Sequence, residues 1–194
     1  MNASAELKTL LLAEPKLLLA AAESLTCGRV QARVGETPGA SNYFCGGITV
    51  YSLDQKVQHL GVDRAAAKKV NCVSVEVAEQ MARGVCALFG SDLGIATTGY
   101  AQASPADGVA EPYAWWAIAH IRRGRGTAKS RLIALRSGRV ECPGATRVDA
   151  QAFVADAALA ELIEYLREVR GAGRERRGVG RVTTSKPRKS KARK

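Results

Sequence analysis

Three side chains in the first third of the chain could do chemistry together: Ser24, Tyr51 and Lys56. A serine hydroxyl attacks a carbonyl carbon only when a neighbour removes its proton. Only two histidines are present, His59 and His120. A histidine-based triad or a two-histidine metal site therefore has little to build on, and lysine is the base at hand. A lysine serves in that role when partial burial or a second cation draws its pKa toward neutrality. A tyrosine hydroxyl can relay the proton or hold the lysine in place. Such a trio suits acyl transfer: attack on an amide carbonyl, an acyl-enzyme, then hydrolysis. N–H groups at the start of the helix after Ser24 would stabilise the oxyanion. The same residues also have ordinary roles, with Ser24 or Thr26 as a helix N-cap, Tyr51 as packing and Lys56 as a solvated helix residue.

Positioning these groups requires particular elements. Leu17 to Ala22 is a short run without polar alternation, which predicts a strand buried on both faces, as in a parallel sheet. It stops at Glu23-Ser24, and Arg29 to Val34 reads as the helix that follows. Ile48 to Ser52 predicts a second strand, with Tyr51 near its end. Leu53 to Leu60 predicts a helix with Lys56 on its first turns. Ligands in open parallel sheets bind outside the carboxyl ends of the strands. If the two strands are parallel, Ser24, Tyr51 and Lys56 share one rim.

The rest of the chain supports an α/β class, with roughly five strands and five helices. Residues 4–14 read as a first helix, capped by Ser4 and ended by Pro15. Asp63 and Ser74 can cap two more, the second closed by Gly90. Asp92 to Thr98, Tyr113 to Ile121 and Lys129 to Leu135 read as strands, the last two joined by the basic hairpin 122–126. Gly99 to Pro112 reads as irregular, and 145–169 as a long amphipathic helix. Trp115 and Trp116 alternate on their strand, so they face opposite sides.

Composition narrows the classes. No apolar run approaches the roughly 20 residues that cross a bilayer, and the first residues lack the basic flank of a secretory signal. A cytoplasmic protein with no membrane role is the expectation. The five cysteines, Cys27, Cys45, Cys72, Cys86 and Cys142, contain no Cys-x-x-Cys, which argues for reduced thiols and against a zinc site. The formal net charge is +11, but residues 171–194 hold ten Lys or Arg against one acid. The body thus carries only +2. One domain over 1–169 is expected, followed by a disordered basic tail over 170–194. That tail could make weak, salt-sensitive contact with nucleic acid, or act only as a solubilising extension. It has no aromatic residue for stacking.

Specific motifs then carry a family resemblance. Ala22-Glu23-Ser24-Leu25-Thr26-Cys27-Gly28, Pro38-Gly39-Ala40-Ser41-x-x-Phe44 and Gly47-x-Thr49-Val50-Tyr51-Ser52-x-x-x-Lys56 resemble the competence-damage protein CinA carboxy-terminal domain family. Gly61-Val62 and Val73-Ser74-x-x-Val77-Ala78-x-x-Met81-Ala82 fit it too. The resemblance implies a three-layer α/β/α sandwich with a mostly parallel central sheet, and homo-oligomers. It implies a nicotinamide-nucleotide amidohydrolase that converts nicotinamide mononucleotide to nicotinic acid mononucleotide and ammonia, in pyridine nucleotide salvage. Ser24 would be the nucleophile, with Tyr51 and Lys56 as its partners. No metal or organic cofactor is implied. Glu23, Thr26, Gly28, Thr98, Gly99 and Arg147 would line the pyridine nucleotide site.

The second half departs from the family pattern. The usual Thr/Ser-Gly-x-Ala-Gly-Pro-x-Gly-Gly loop reads Thr98-Gly99-Tyr100-Ala101-Gln102-Ala103-Ser104-Pro105 here, and Glu111 stands where the family carries a lysine. Of the arginines expected around the last helix only Arg147 remains. Asp149, Gln151 and Phe153 occupy the neighbouring positions. Three readings follow: a deamidase with a remodelled pocket, a hydrolase of another amide, or a non-catalytic binding or nucleic-acid-associated module.

Overall fold

The structure is a computed structural model that describes residues 3–124 and 129–178. Five strands form one sheet: β1 (Leu19–Glu23), β2 (Phe44–Thr49), β3 (Leu93–Tyr100), β4 (Tyr113–Arg122) and β5 (Arg131–Glu141). Their order is β2-β1-β3-β4-β5. β1 pairs in parallel with β2 and β3, while β4 pairs antiparallel with β3 and β5. Four of the five strands therefore point the same way, and the sheet is mostly parallel in direction. Because β4 runs against the rest, its start lies beside the ends of β3 and β5, where Tyr113 pairs with Tyr100 and with Glu141.

Six α-helices cover the two faces among the described residues. α1 (Ala3–Leu12), α2 (Arg29–Gly35) and α6 (Arg147–Gly178) lie on one side; α3 (Leu53–Leu60), α4 (Arg64–Lys69) and α5 (Val75–Phe89) lie on the other. The expected three-layer α/β/α sandwich is thus present. The strands divide their residues unequally between the layers. Leu19, Leu93, Ile95, Trp116 and Ile118 face α1, α2 and α6. Ala20, Ala22, Ala96, Ala117 and Ala119 face α5. Small residues let α5 lie close, and a Cβ on Gly94 would meet the Ala82 carbonyl oxygen at 2.1 Å. Trp116 is buried on the α6 side, and Trp115 packs half-buried on the α5 side.

Several boundaries differ from expectation for identifiable reasons. β2 starts at Phe44, ahead of the predicted Ile48, because the pair Gly46-Gly47 is strand here. Gly46 sits at φ +123 beside a register shift in β1, and a Cβ on Gly47 would strike the Ala21 carbonyl at 2.7 Å. Glycine in that strand records close backbone approach, a use easily mistaken for a loop. β2 ends at Thr49 and not at the expected Ser52, so Tyr51 falls after it. β5 runs on to Glu141, since Gly138 gives room to the Trp116 indole. β3 continues to Tyr100. Ser4 lies within α1, which the structure describes from Ala3.

The other helix ends follow the sequence. Ser52, Asp63 and Ser74 each accept an N–H from the first turn of α3, α4 and α5, and Gly61 and Gly90 close α3 and α5 in left-handed conformation. α6 passes Val169, its expected end, and reaches Gly178. Gly171 and Gly173 each weaken a helix by about 1 kcal/mol, whereas arginine and glutamate favour one. The beginning of the basic arm is therefore helical; residues 179–194 of that arm, and 125–128 of the basic hairpin, lie outside the described residues. No helix among the described residues is long and apolar enough to cross a membrane.

α3 and α5 cross at a glycine. A Cβ on Gly84 would meet the backbone oxygen of Leu60 at 2.2 Å, too close for any side-chain adjustment to relieve. We expect Gly84→Ala to lower stability by about 1–3 kcal/mol through overpacking. Gly35→Ala, with nothing within 4 Å of its added Cβ, should leave stability unchanged or raise it. Denaturation midpoints for the two variants check this contrast.

Candidate active site

The turn after β1 is shaped from below by Glu23, which is fully buried. Its Oε2 accepts from Thr26 Oγ1 at 2.6 Å, Gly28 N at 2.9 Å and Val30 N at 3.1 Å; its Oε1 accepts from Gln31 N at 2.9 Å. Four donors converge on one carboxylate at the start of α2, where the helix dipole also favours negative charge. Cys27 at φ +52 and Gly28 at φ +94 bend the chain to make this possible. Thr26 shares its hydroxyl with Thr97 at 2.8 Å and is itself buried.

This corrects three expectations. Neither Ser24 nor Thr26 caps α2; the carboxylate of Glu23 does. The first N–H groups of α2 are occupied by it, so they are not free to stabilise an oxyanion. Glu23, Thr26 and Gly28 form a support beneath the turn and are not among the residues that line the pocket.

The support leaves Ser24 at the rim, 8% exposed, with its N–H on the Thr97 carbonyl at 3.0 Å. Lys56 comes to it from α3. The Lys56 side chain is only 1% exposed. Its Nζ lies 3.0 Å from Ser24 Oγ, 2.8 Å from the Val50 carbonyl oxygen and 3.0 Å from that of Tyr51. Burial pushes the Lys56 pKa below its ordinary value of 10.5, against a smaller opposing influence from Cys72. A neutral amine has two N–H donors and one lone pair. Two of its three partners are carbonyls, which only accept, and the third is a hydroxyl, which can donate. Both forms fit these partners: the ammonium donates to all three oxygens, and the free amine donates to the two carbonyls with its lone pair toward the Ser24 proton.

Tyr51 behaves differently from expectation. Its backbone carbonyl holds the lysine, but its side chain is 54% exposed and its hydroxyl accepts from Arg147 Nη2 at 2.6 Å. Arg147, at the start of α6, also reaches Gln102 Oε1 at 3.4 Å. The phenol is thus committed at the mouth of the site and not between Ser24 and Lys56.

A cavity of about 340 Å³ opens over the pair. Thr98 and Gly99 line it with Ser24, Leu25, Tyr51 and Lys56. The Thr98 hydroxyl donates to the Cys72 carbonyl at 2.7 Å. Lys68, Asn71 and Cys72 complete a wall that sequence reasoning missed. Asn71 and Cys72 sit at φ +47 and +61, and an asparagine just past a helix is a recognisable signal for that left-handed turn. The Val50 carbonyl carries no sequence signal at all. A larger cleft, about 1110 Å³, lies toward the starts of β1 and β3 and is lined by Lys16, Asp92, His120 and Arg123. It holds no serine–lysine pair. Among the described residues no three His, Cys, Asp or Glu side chains gather to hold a metal ion.

Comparison with known proteins identifies the family and the fold. Residues 2–166 match the family model of the CinA C-terminal domain. A CinA-like protein of Chlorobium limicola is 40% identical over 161 residues, covering 83% of this chain and 36% of the relative. The chain therefore spans about a third of that relative's length. The crystal structure of competence damage-inducible protein A from Klebsiella pneumoniae superposes with a TM-score of 0.73 at 26% identity, over 85% of this chain and 95% of that one. A CinA superfamily protein from Enterobacter cloacae gives 0.74 at 24% identity, over 84% and 90%, a likeness of fold.

The structural role of Glu23 is testable. In Glu23→Gln the side-chain amide turns N–H groups toward N–H donors, and buried charge-assisted hydrogen bonds are worth about 1.5–3 kcal/mol each. We expect a stability loss of about 3 kcal/mol in urea denaturation. An unchanged midpoint would remove Glu23 from its place as the support of the turn.

Proposed function

The chain belongs to the CinA C-terminal domain family, and we propose that this domain is a serine amidohydrolase that deamidates nicotinamide mononucleotide. The observation that carries the reading is Lys56 Nζ, nearly sealed from solvent and 3.0 Å from Ser24 Oγ, with two carbonyls as its other partners. A lysine kept merely for structure would hold its ammonium in water or pair it with a carboxylate; this one faces a hydroxyl beneath an open cavity.

The steps follow from the geometry. Lys56, as free amine, takes the Ser24 proton while Oγ bonds to the carboxamide carbon. The carbonyl π electrons move to oxygen. When they return, the C–N bond breaks, and the Lys56 proton goes to the departing nitrogen as ammonia leaves. Water then loses a proton to Lys56, attacks the ester carbon, and Ser24 departs with that proton. The products are the restored serine and a carboxylic acid, which gives its remaining proton to water and leaves as the carboxylate. Tyr51 contributes through its backbone carbonyl, which fixes Nζ, and through a phenol that closes the mouth of the site with Arg147. This is a smaller part in proton transfer than the relay expected from residue types.

Purified protein should release ammonia from nicotinamide mononucleotide, and Ser24→Ala should lower kcat/KM by about a thousandfold or more. If wild type and Ser24→Ala are equally inert across pyridine carboxamides, the reading fails. The pH profile supplies an independent check. Lys56 acts unprotonated and its pKa is lowered by burial, so kcat/KM rises with pH and levels off once the amine is free. We expect the midpoint of that limb below 10.5; a midpoint at or above the ordinary lysine value would count against a buried amine as base.

A further inference from the structure

The chemistry at Ser24 and Lys56 accounts for one end of the cavity. The remaining lining contains Lys68, Asn71, Cys72 and Tyr100, and the cavity as a whole is lined by two lysines and no aspartate or glutamate. The two cations are not equivalent. Lys56 is buried and shifted toward its neutral form. Lys68 stands exposed in the last turn of α4 and pairs with no carboxylate among the described residues. Arg147 stands at the mouth, outside the cavity lining, and donates to Tyr51 and Gln102. Of the two lysines that line the cavity, Lys68 is the one not enclosed among carbonyls.

Tyr100 beside it is braced. Its hydroxyl accepts from Asn71 Nδ2 at 3.1 Å, and the same amide donates to Asp107 Oδ2 at 3.3 Å. Asp107 in turn accepts from Ser104 Oγ at 2.6 Å. The Tyr100 ring leans on Tyr113, with centroids 5.7 Å apart at 49°, and the Arg139 guanidinium lies 3.9 Å from the Tyr113 centroid. Asn71 itself occupies a left-handed conformation that non-glycine residues rarely adopt. A tyrosine held at both its hydroxyl and its ring is a preorganised flat surface.

We propose that Lys68 recognises a phosphate monoester on the substrate and that Tyr100 is the surface on which the substrate's heteroaromatic ring lies. The assignment rests on the amidohydrolase reading for the orientation of the ligand, with its amide at Ser24. It adds what selects the ligand: a lone ammonium for the anion and a fixed ring for the base, in a cavity free of competing negative charge. An ammonium bonded to a phosphate contributes a charge-assisted hydrogen bond, and its loss is felt by phosphorylated ligands alone.

Binding to the Ser24→Ala protein, measured by calorimetry, separates the contributions without turnover. The probes are nicotinamide mononucleotide and nicotinamide riboside, which differ only by the phosphate. Adding Lys68→Ala should weaken the mononucleotide about tenfold or more, equivalent to about 1.4 kcal/mol, and leave the riboside within about twofold. Lys68→Arg should restore part of the difference. Adding Tyr100→Ala should weaken both probes, and Tyr100→Phe, which keeps the ring, should weaken neither by more than about threefold. In the active protein, Lys68→Ala should raise KM for the mononucleotide with kcat unchanged. Equal effects of Lys68→Ala on both probes, no effect on either, or no binding of either probe would overturn the proposal. Lys68-dependent binding by a wild-type chain that releases no ammonia would instead sink the amidohydrolase reading and leave this assignment standing.

Discussion

A buried carboxylate must have its lone pairs filled, and the way Glu23 fills them shapes everything built above it. Its four donors come from the turn after β1 and the first residues of α2. Once they are gathered, the chain between them has little freedom, and Ser24 is presented at the sheet's rim as a consequence. The catalytic reading therefore depends on a residue that touches no substrate. Ser24 and Glu23 are adjacent, yet one faces the cavity and the other lies underneath, as strand alternation requires.

The second constraint is the sheet. Parallel pairing of β1 with β2 and β3 brings Ser24, the Val50 and Tyr51 carbonyls, and Thr98 to one edge. The antiparallel β4 and β5 then return the chain to the same edge, so that α6 starts there with Arg147. Four separated stretches of sequence thus meet at one edge through strand direction alone. The lysine is brought in by α3, whose start is fixed by Ser52 and whose end is pressed against Gly84 of α5.

Much of this was legible in the residues. The apolar run of β1, the caps Asp63 and Ser74, and the periodicity of α5 are local signals, and they located the elements. Ser24 and Lys56 were legible as partners because their motifs and the scarcity of histidine pointed to them. What was not legible depends on direction. Whether Glu23 faces a ligand or turns beneath α2 is decided by left-handed conformations at Cys27 and Gly28. Whether the Tyr51 phenol meets Lys56 or Arg147 is decided by where β2 ends, which is Thr49 and not the expected Ser52. Backbone carbonyls have no residue type to betray them, so the Val50 contact could come only from coordinates.

α6 has a consequence of another kind. It is one uninterrupted helix of 32 residues, which at 1.5 Å per residue is about 48 Å long. One end carries Arg147 over the reaction chamber; along its length Val169 and Arg170 already border the cleft toward the starts of β1 and β3. Gly178 thus stands some tens of ångströms from Arg147, several times the screening length of about 8 Å in physiological salt. The helix acts as a spacer: a charge held at its far end is screened out before its field reaches the serine.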